Sequence, residues 1–251
     1  MLGIVPAAGC GTRIQPLGCS KELLPVGSRP EPTRGSTGES PRAVSEYLLE
    51  RMLMAGADRL CMVISGEKTD ILRYYADSPF SGQLFFALQP QPLGLCDAVF
   101  RALPHVHPGE PVLIGLPDTI WFPEDAFCHV PPGRVHLITF PVDEPQHFDA
   151  VIEDGQGRVR EIQVKQSGDP RRRVWGAVTA PAREFEDLYR LWRRRHKQDE
   201  YLGHLLNAWL AEGKEISADR YGTEYLDVGT LAGYRRALAR MQPGTAEALA
   251  P

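Results

Sequence analysis

Four short apolar runs, 2–7, 60–64, 84–88 and 112–116, alternate with amphipathic stretches through the first half of the chain. No other feature restricts the fold as much. Residues 45–55 (SEYLLERMLMA) place apolar side chains at helical spacing, and Gly56 follows where a helix takes its C-terminal cap. Residues 68–75 and 95–103 read as further helices. Runs that are apolar throughout suit strands buried on both faces. Strands that alternate with helices imply a parallel sheet covered on both sides. The expected class is therefore α/β, a Rossmann-like layered α/β/α with a mostly parallel central sheet.

After residue 116 the pattern changes. Strands are expected at 135–142, 150–153, 159–164 and 174–179, with DGQG (154–157) as a hairpin turn by its chemistry. Helices follow at 182–195, 200–212 and near 231–241. No internal repeat and no second hydrophobic unit is present, so one domain is expected over 1–243, with a frayed tail at 244–251. The stretch 28–42 (SRPEPTRGSTGESPR) is rich in Pro, Gly and Ser and nearly free of apolar residues. It reads as a flexible loop, either a lid over a site near Lys21 or a solvated excursion.

Hydrophobic residues make up 43% of the 251, enough for a packed core. A net charge of −4 leaves no basic excess to recruit nucleic acid or anionic lipid. No run is long enough to span a membrane and no basic leader precedes the first strand. The five cysteines show no metal-ligand spacing and read as reduced thiols of a cytoplasmic protein. The arginine runs 171–173 and 193–195 read as solvated faces. Small-molecule chemistry is the expectation that remains.

Directly behind the first run stands AAGCGTRIQPLGCSKELLPVG (7–27). Backbone amides of a glycine-rich turn can point at phosphate oxygens, and glycine lets the ligand approach the chain. Arg13 and Lys21 add fixed positive charge, the arginine as a fork suited to phosphate. A Walker loop is excluded because no Gly-Lys-Ser or Gly-Lys-Thr closes it. The dinucleotide fingerprint is excluded because Ile14 stands where its third glycine belongs.

AAGCGTRIQPLG and SKELLPVG together resemble the signature of the sugar-1-phosphate nucleotidyltransferases, with Gly18 and Ile14 departing from its threonine and leucine. The resemblance implies the nucleotide-diphospho-sugar transferase type of fold. It implies that Ala8, Gly9, Gly11, Thr12, Arg13 and Lys21 hold a nucleoside triphosphate, Arg13 and Lys21 being catalytic. QPQPLGLCDAV (89–99) resembles the base-binding segment, which gives Gln89 and Gly94. IGLPDTIW (114–121) and EYLDVGTLAGY (224–234) resemble the two segments that bring aspartates to magnesium, here Asp118 and Asp227, with Pro117 as a departure. HFDAVIEDGQGRVREIQVKQ (147–166) resembles the sugar-phosphate side. By that likeness Lys165 contacts the phosphate, Ala150 stands in place of a glycine and Val164 in place of a glutamate, and Gly176 beside Trp175 lines the same pocket. The implied partners are a triphosphate (dTTP or UTP foremost, CTP next) and a sugar 1-phosphate, with Mg2+ as cofactor and a homo-oligomer left open. Two alternatives stand beside it: a cytidylyl or guanylyl transferase for a non-glucose phosphate, and a regulatory relative that binds without turnover. The 251 residues hold no segment resembling the acyltransferase domain of some relatives, so acyl transfer is not expected.

Overall fold

The computed structural model describes residues 1–30, 38–131, 133–166 and 173–242. The expected tail, Arg171, Arg172 and residues 31–37 of the expected loop lie outside the described residues. Chain order runs β1 (Leu2–Pro6), β2 (Pro25–Pro30), β3 (Glu39–Ala43), α1 (Val44–Met54), β4 (Arg59–Ile64), α2 (Thr69–Tyr75), β5 (Leu84–Leu88), α3 (Gly94–Phe100), β6 (Pro111–Gly115) and β7 (Thr119–Phe122). It continues β8 (His136–Pro141), β9 (Asp149–Glu153), β10 (Val159–Val164), β11 (Arg173–Pro181), α4 (Ala182–Arg194), α5 (Leu202–Ala211), β12 (Ser217–Asp219), β13 (Glu224–Asp227) and α6 (Leu231–Arg240).

The parallel part of the sheet is β5-β4-β1-β6. β11 joins β6 antiparallel and carries β8 along its other edge, and β12 pairs parallel with β8. Where β6 leaves off, the β9–β10 hairpin attaches to the start of β11 through Arg173↔Val151 and Val174↔Ala150. Both faces are covered. Ile4 and Val63 pack with α3, α4 and α5, while Val5 and Met62 pack with α1 and α2. Adjacent residues of one strand thus enter opposite halves of the core, as a doubly covered sheet requires. A third apolar cluster lies outside the main sheet, where Val26, Tyr47, Ile120, Leu226 and Ala237 meet.

That third cluster supports two ribbons which the sequence reading did not contain. β7 pairs antiparallel with β13, and β2 pairs with β3 through Ser28↔Pro41 and Arg29↔Ser40. The segment 28–42 is therefore strand at both ends rather than loop throughout. Pro30 and Pro41 sit in a two-stranded ribbon, where an edge tolerates a missing N–H donor. The loop form fits its composition, but the ribbon's first strand begins ahead of it at Pro25, with Val26 fully buried.

Candidate active site

β1 delivers Ala7 and Ala8 into the core, and the chain turns out at Gly9. A side chain added at Gly9 would meet open space, so a ligand could lie against this backbone. Gly11 has φ +65°, a conformation that favours glycine, and its α-carbon faces the Lys21 stem. Thr12 and Arg13 are exposed at the start of the turn.

The segment that follows is fastened from several sides. Ser20 gives its backbone N–H and its hydroxyl to the two oxygens of Asp70, at 2.6 and 2.8 Å. The carbonyl of Glu22 accepts from the Ser45 hydroxyl at 2.7 Å. Lys68 donates to both carboxylate oxygens of Glu22, at 2.8 Å each, and to the Ala7 carbonyl at 2.6 Å. One lysine thereby ties the end of β1 to the turn that holds Lys21. Glu22 is 1% exposed, and burial pushes its carboxyl above the ordinary range against the pull of Lys68 and Lys21.

Lys21 reaches Asp118 at 2.5 Å, and Arg13 reaches Asp227 at 2.7 Å. Both aspartates are 6% exposed. Burial alone would raise the Asp118 carboxyl, but Lys21 and Arg13 reverse this and hold it below the usual carboxylate range. Burial would lower the Lys21 ammonium, and Asp118 with Glu22 lift it instead. The β7–β13 ribbon brings the aspartates together: Asp227 pairs with Thr119, and Val228 donates to the Asp118 carbonyl at 2.8 Å. Gly229 lies between them. A methyl placed there would come within 2.6 Å of Asp118 Oδ2, 2.9 Å of Asp227 Oδ1 and 2.9 Å of Arg13. Thr230 then caps α6 by accepting from Gly233, which packs directly against the Asp227 carbonyl. The cap therefore also fixes the segment that bears the second carboxylate.

Gln89 is 4% exposed and already engaged. Its amide donates to the Gly94 carbonyl and to Asp97, both at 3.0 Å, and Arg101 grips the same aspartate. Gly94 has φ +88°, and an added side chain would strike the Glu200 backbone at 2.7 Å. The glycine is thus required by packing against Glu200, whose carbonyl takes the Leu95 N–H at 2.8 Å, and not by an approaching base alone.

On the far side, β9 and β10 pair Asp149 with Val164 and Ala150 with Gln163. Ala150 is 1% exposed and lies on the other face of β9 from Asp149. The side chain opposite Val164 is therefore Asp149, a residue the sequence reading passed over. Trp175 donates its indole N–H to Asp149 at 3.3 Å. Lys165 follows β10 with φ 48° and rests its ammonium 4.0 Å above the Tyr201 ring. Gly176 does not line this pocket; an added side chain would meet Tyr225 at 2.4 Å and Phe140 at 2.8 Å. Tyr225 links the two halves. It feels the charges of Asp227 and Asp118, and its ring stands 5.9 Å from Phe148, the neighbour of Asp149. The sequence reading also missed Glu22, Lys68 and Asp70, whose contacts span 46 to 61 positions along the chain. Arg194 and Arg195 of the second arginine run are paired with Glu212 and Asp199.

The layered sheet is the fold of solved nucleotide-sugar pyrophosphorylases. The UTP-bound UGPase from Acinetobacter baumannii superposes with a TM-score of 0.76 over 98% of this chain and 96% of that one, at 19% identity, which is a likeness of fold. In sequence the chain is similar to curated sugar-1-phosphate nucleotidyltransferases. It is 25% identical over 241 residues to the glucose-1-phosphate thymidylyltransferase of Mycolicibacterium smegmatis, covering 92% of this chain and 78% of that protein. It is 27% identical over 224 residues to the bifunctional protein GlmU of Aromatoleum aromaticum, covering 85% of this chain. There it spans 45% of the relative's length. No family model matches the chain. No described helix is long and apolar enough to cross a membrane.

Proposed function

We propose that the chain transfers a nucleoside monophosphate from a nucleoside triphosphate to a phosphate monoester of the sugar 1-phosphate class, releasing pyrophosphate. The observation that carries this reading is the convergence at Gly229. There two buried carboxylates and two cations from the glycine-rich segment meet at the ends of β6 and β13. The relatives named above supply the reaction class.

The chemistry suits these residues. The acceptor phosphate arrives ionised, so no proton has to be removed before it attacks. Its oxygen bonds to the α-phosphorus, the bond to the bridging oxygen breaks, and pyrophosphate leaves. Catalysis then rests on alignment and on neutralising charge. The open backbone at Gly9 and the exposed Thr12 receive the triphosphate. Arg13 takes charge developing on the leaving group, and Lys21 holds the phosphate under attack. Lys165, resting over the Tyr201 ring, holds the acceptor phosphate. Gln89, Asp97 and Gly94 form the floor under the base.

The carboxylates of Asp118 and Asp227 fit a hard divalent cation such as Mg2+. Among the described residues no third acidic, His or Cys side chain joins them. The two would hold the ion and leave its other positions to phosphate oxygens and water. Bound there, the ion would supply further neutralisation of the triphosphate charge.

Pyrophosphate release tests the reading, with Mg2+, each common triphosphate and a panel of sugar 1-phosphates. Release that requires both substrates and collapses in Arg13→Ala is the expected result. A chain that binds no triphosphate in calorimetry, or an Arg13→Ala variant that keeps most of its turnover, overturns it.

A further inference from the structure

The buried carboxylates of this protein share one property. Glu22 is bonded to Lys68 at 2.8 Å, Glu46 to Arg29 at 3.2 Å, Asp97 to Arg101 at 3.0 Å and Asp118 to Lys21 at 2.5 Å. Asp199 is bonded to Arg195 at 2.8 Å and Asp227 to Arg13 at 2.7 Å. Asp149 differs from these: like Asp70 and Glu184 it is half-buried without an ion pair, but those two accept from Ser20 and from the Val135 N–H at 2.5–2.8 Å, whereas Asp149 takes the Trp175 indole at 3.3 Å. It lies half-buried between β9, the Trp175 indole and the start of α5, and none of the ion pairs among the described residues includes it. Its surroundings are built closely. A methyl at Gly203 would stand 2.9 Å from Asp149 Oδ2 and 2.7 Å from Val164.

Helix capping accounts for only part of this. The Gly203 N–H at the start of α5 does favour the charged form of Asp149, as does the Trp175 N–H. Yet burial outweighs both, together with the more distant charges of Lys165 and His204, and pushes the carboxyl above its ordinary range. A carboxylate kept at that cost, against the Trp175 indole, has acceptor capacity its neighbours do not fill. Its place is next to the acceptor half of the site, reached from Asp227 through Tyr225 and Phe148. When Lys165 turns from Tyr201 to a phosphate, a positive charge that acts on Asp149 is drawn to that phosphate as well.

We infer that Asp149 is a specificity-determining residue, its carboxylate accepting hydrogen bonds from donor groups, hydroxyl or ammonium, at the end of the acceptor remote from its phosphate. This rests on the transfer reaction proposed above. Val164 directly opposite is apolar, so Asp149 sets which polar end is taken and from which strand. Trp175 is a positioning residue that orients the carboxylate.

The test is calorimetric titration of the Mg2+-loaded chain, with a non-hydrolysable triphosphate present, by two sets of phosphates. One set is hexose 1-phosphates and the other amino-hexose and aminoalkyl phosphates. Binding of a member of either set is expected, and the set that binds separates hydroxyl from ammonium. Asp149→Asn should weaken it roughly tenfold to a hundredfold, with triphosphate affinity unchanged. In turnover the loss should appear in KM for the acceptor more than in kcat. Trp175→Phe should give a smaller loss of the same kind. If Asp149→Asn binds the acceptor as wild type does, or if neither set binds while the triphosphate does, this inference fails and the nucleotide site stands. If the triphosphate does not bind either, the underlying reading fails with it.

Discussion

Around Gly229 two carboxylates meet two cations at bonding distance; around Gly203 a carboxylate meets an indole, a helix amide and no bonded cation. Both places are withdrawn from water, yet they handle charge differently. The first is neutralised by the protein itself and held by a network through Glu22, Lys68 and Asp70. The second leaves a carboxylate against an indole ring. A nucleotide brings the same phosphates whatever its base, so a fixed set of charges can wait for it. An acceptor differs from its competitors at the end remote from the phosphate, and a group without a committed partner can discriminate there.

The comparison breaks most directly at Asp227. Asp227→Ala strips Arg13 of its partner and removes one of the two converging carboxylates. Turnover should fall by about two to three orders of magnitude, with circular dichroism unchanged. Retention of a tenth of the activity would show that the paired charges are structural only. Gly229→Ala tests crowding without altering charge. The added methyl must displace Asp118, Arg13 or Asp227, and a loss of roughly tenfold in kcat is expected, with Tm nearly unchanged. Asp70→Ala releases Ser20 from a distance. It should cost about 1–2 kcal/mol in denaturant unfolding and raise KM for the triphosphate severalfold, leaving the acceptor KM alone.

The smallest effect belongs to the hairpin that carries Asp149. Asp154 accepts from the Arg158 and Gln156 backbone N–H groups and from the Arg158 side chain, which together hold its carboxyl below the ordinary range. That stabilisation is present above the unfolded pKa and is lost as the pH falls through the lower folded value. Asp154→Ala should therefore lower Tm slightly at pH 7, and its curve should meet that of wild type in strong acid.

Much of the sheet was legible because its strands are apolar in short runs. Strand 84–88 and strand 159–164 fall where the pattern put them. The β7–β13 ribbon was not legible. Its strands are four residues each, and they pair across about a hundred positions, beyond the reach of any local period. Arg13, Lys21, Asp118 and Asp227 stood out through contiguous motifs, and the fold brings these four together. Gln89 and Gly94 stood out in the same way, but their local reasons, the bond to Asp97 and the fit against Glu200, depend on residues distant in sequence or hidden by the turn. Asp149 carried no signal at all, since an aspartate before a strand looks like an ordinary turn residue until its cross-strand partner is known.

On the reading proposed above, the pairing of Arg13 with Asp227 and of Lys21 with Asp118 would make the site an ion exchanger. A dication arriving alone at the carboxylates sets two protein cations loose beside it. A triphosphate arriving alone draws those cations away and leaves two carboxylates facing its own charge. Only the joint arrival lets each charge change partner without being stranded. Each ligand should therefore tighten the other's binding, and by linkage the factor must be the same in both directions.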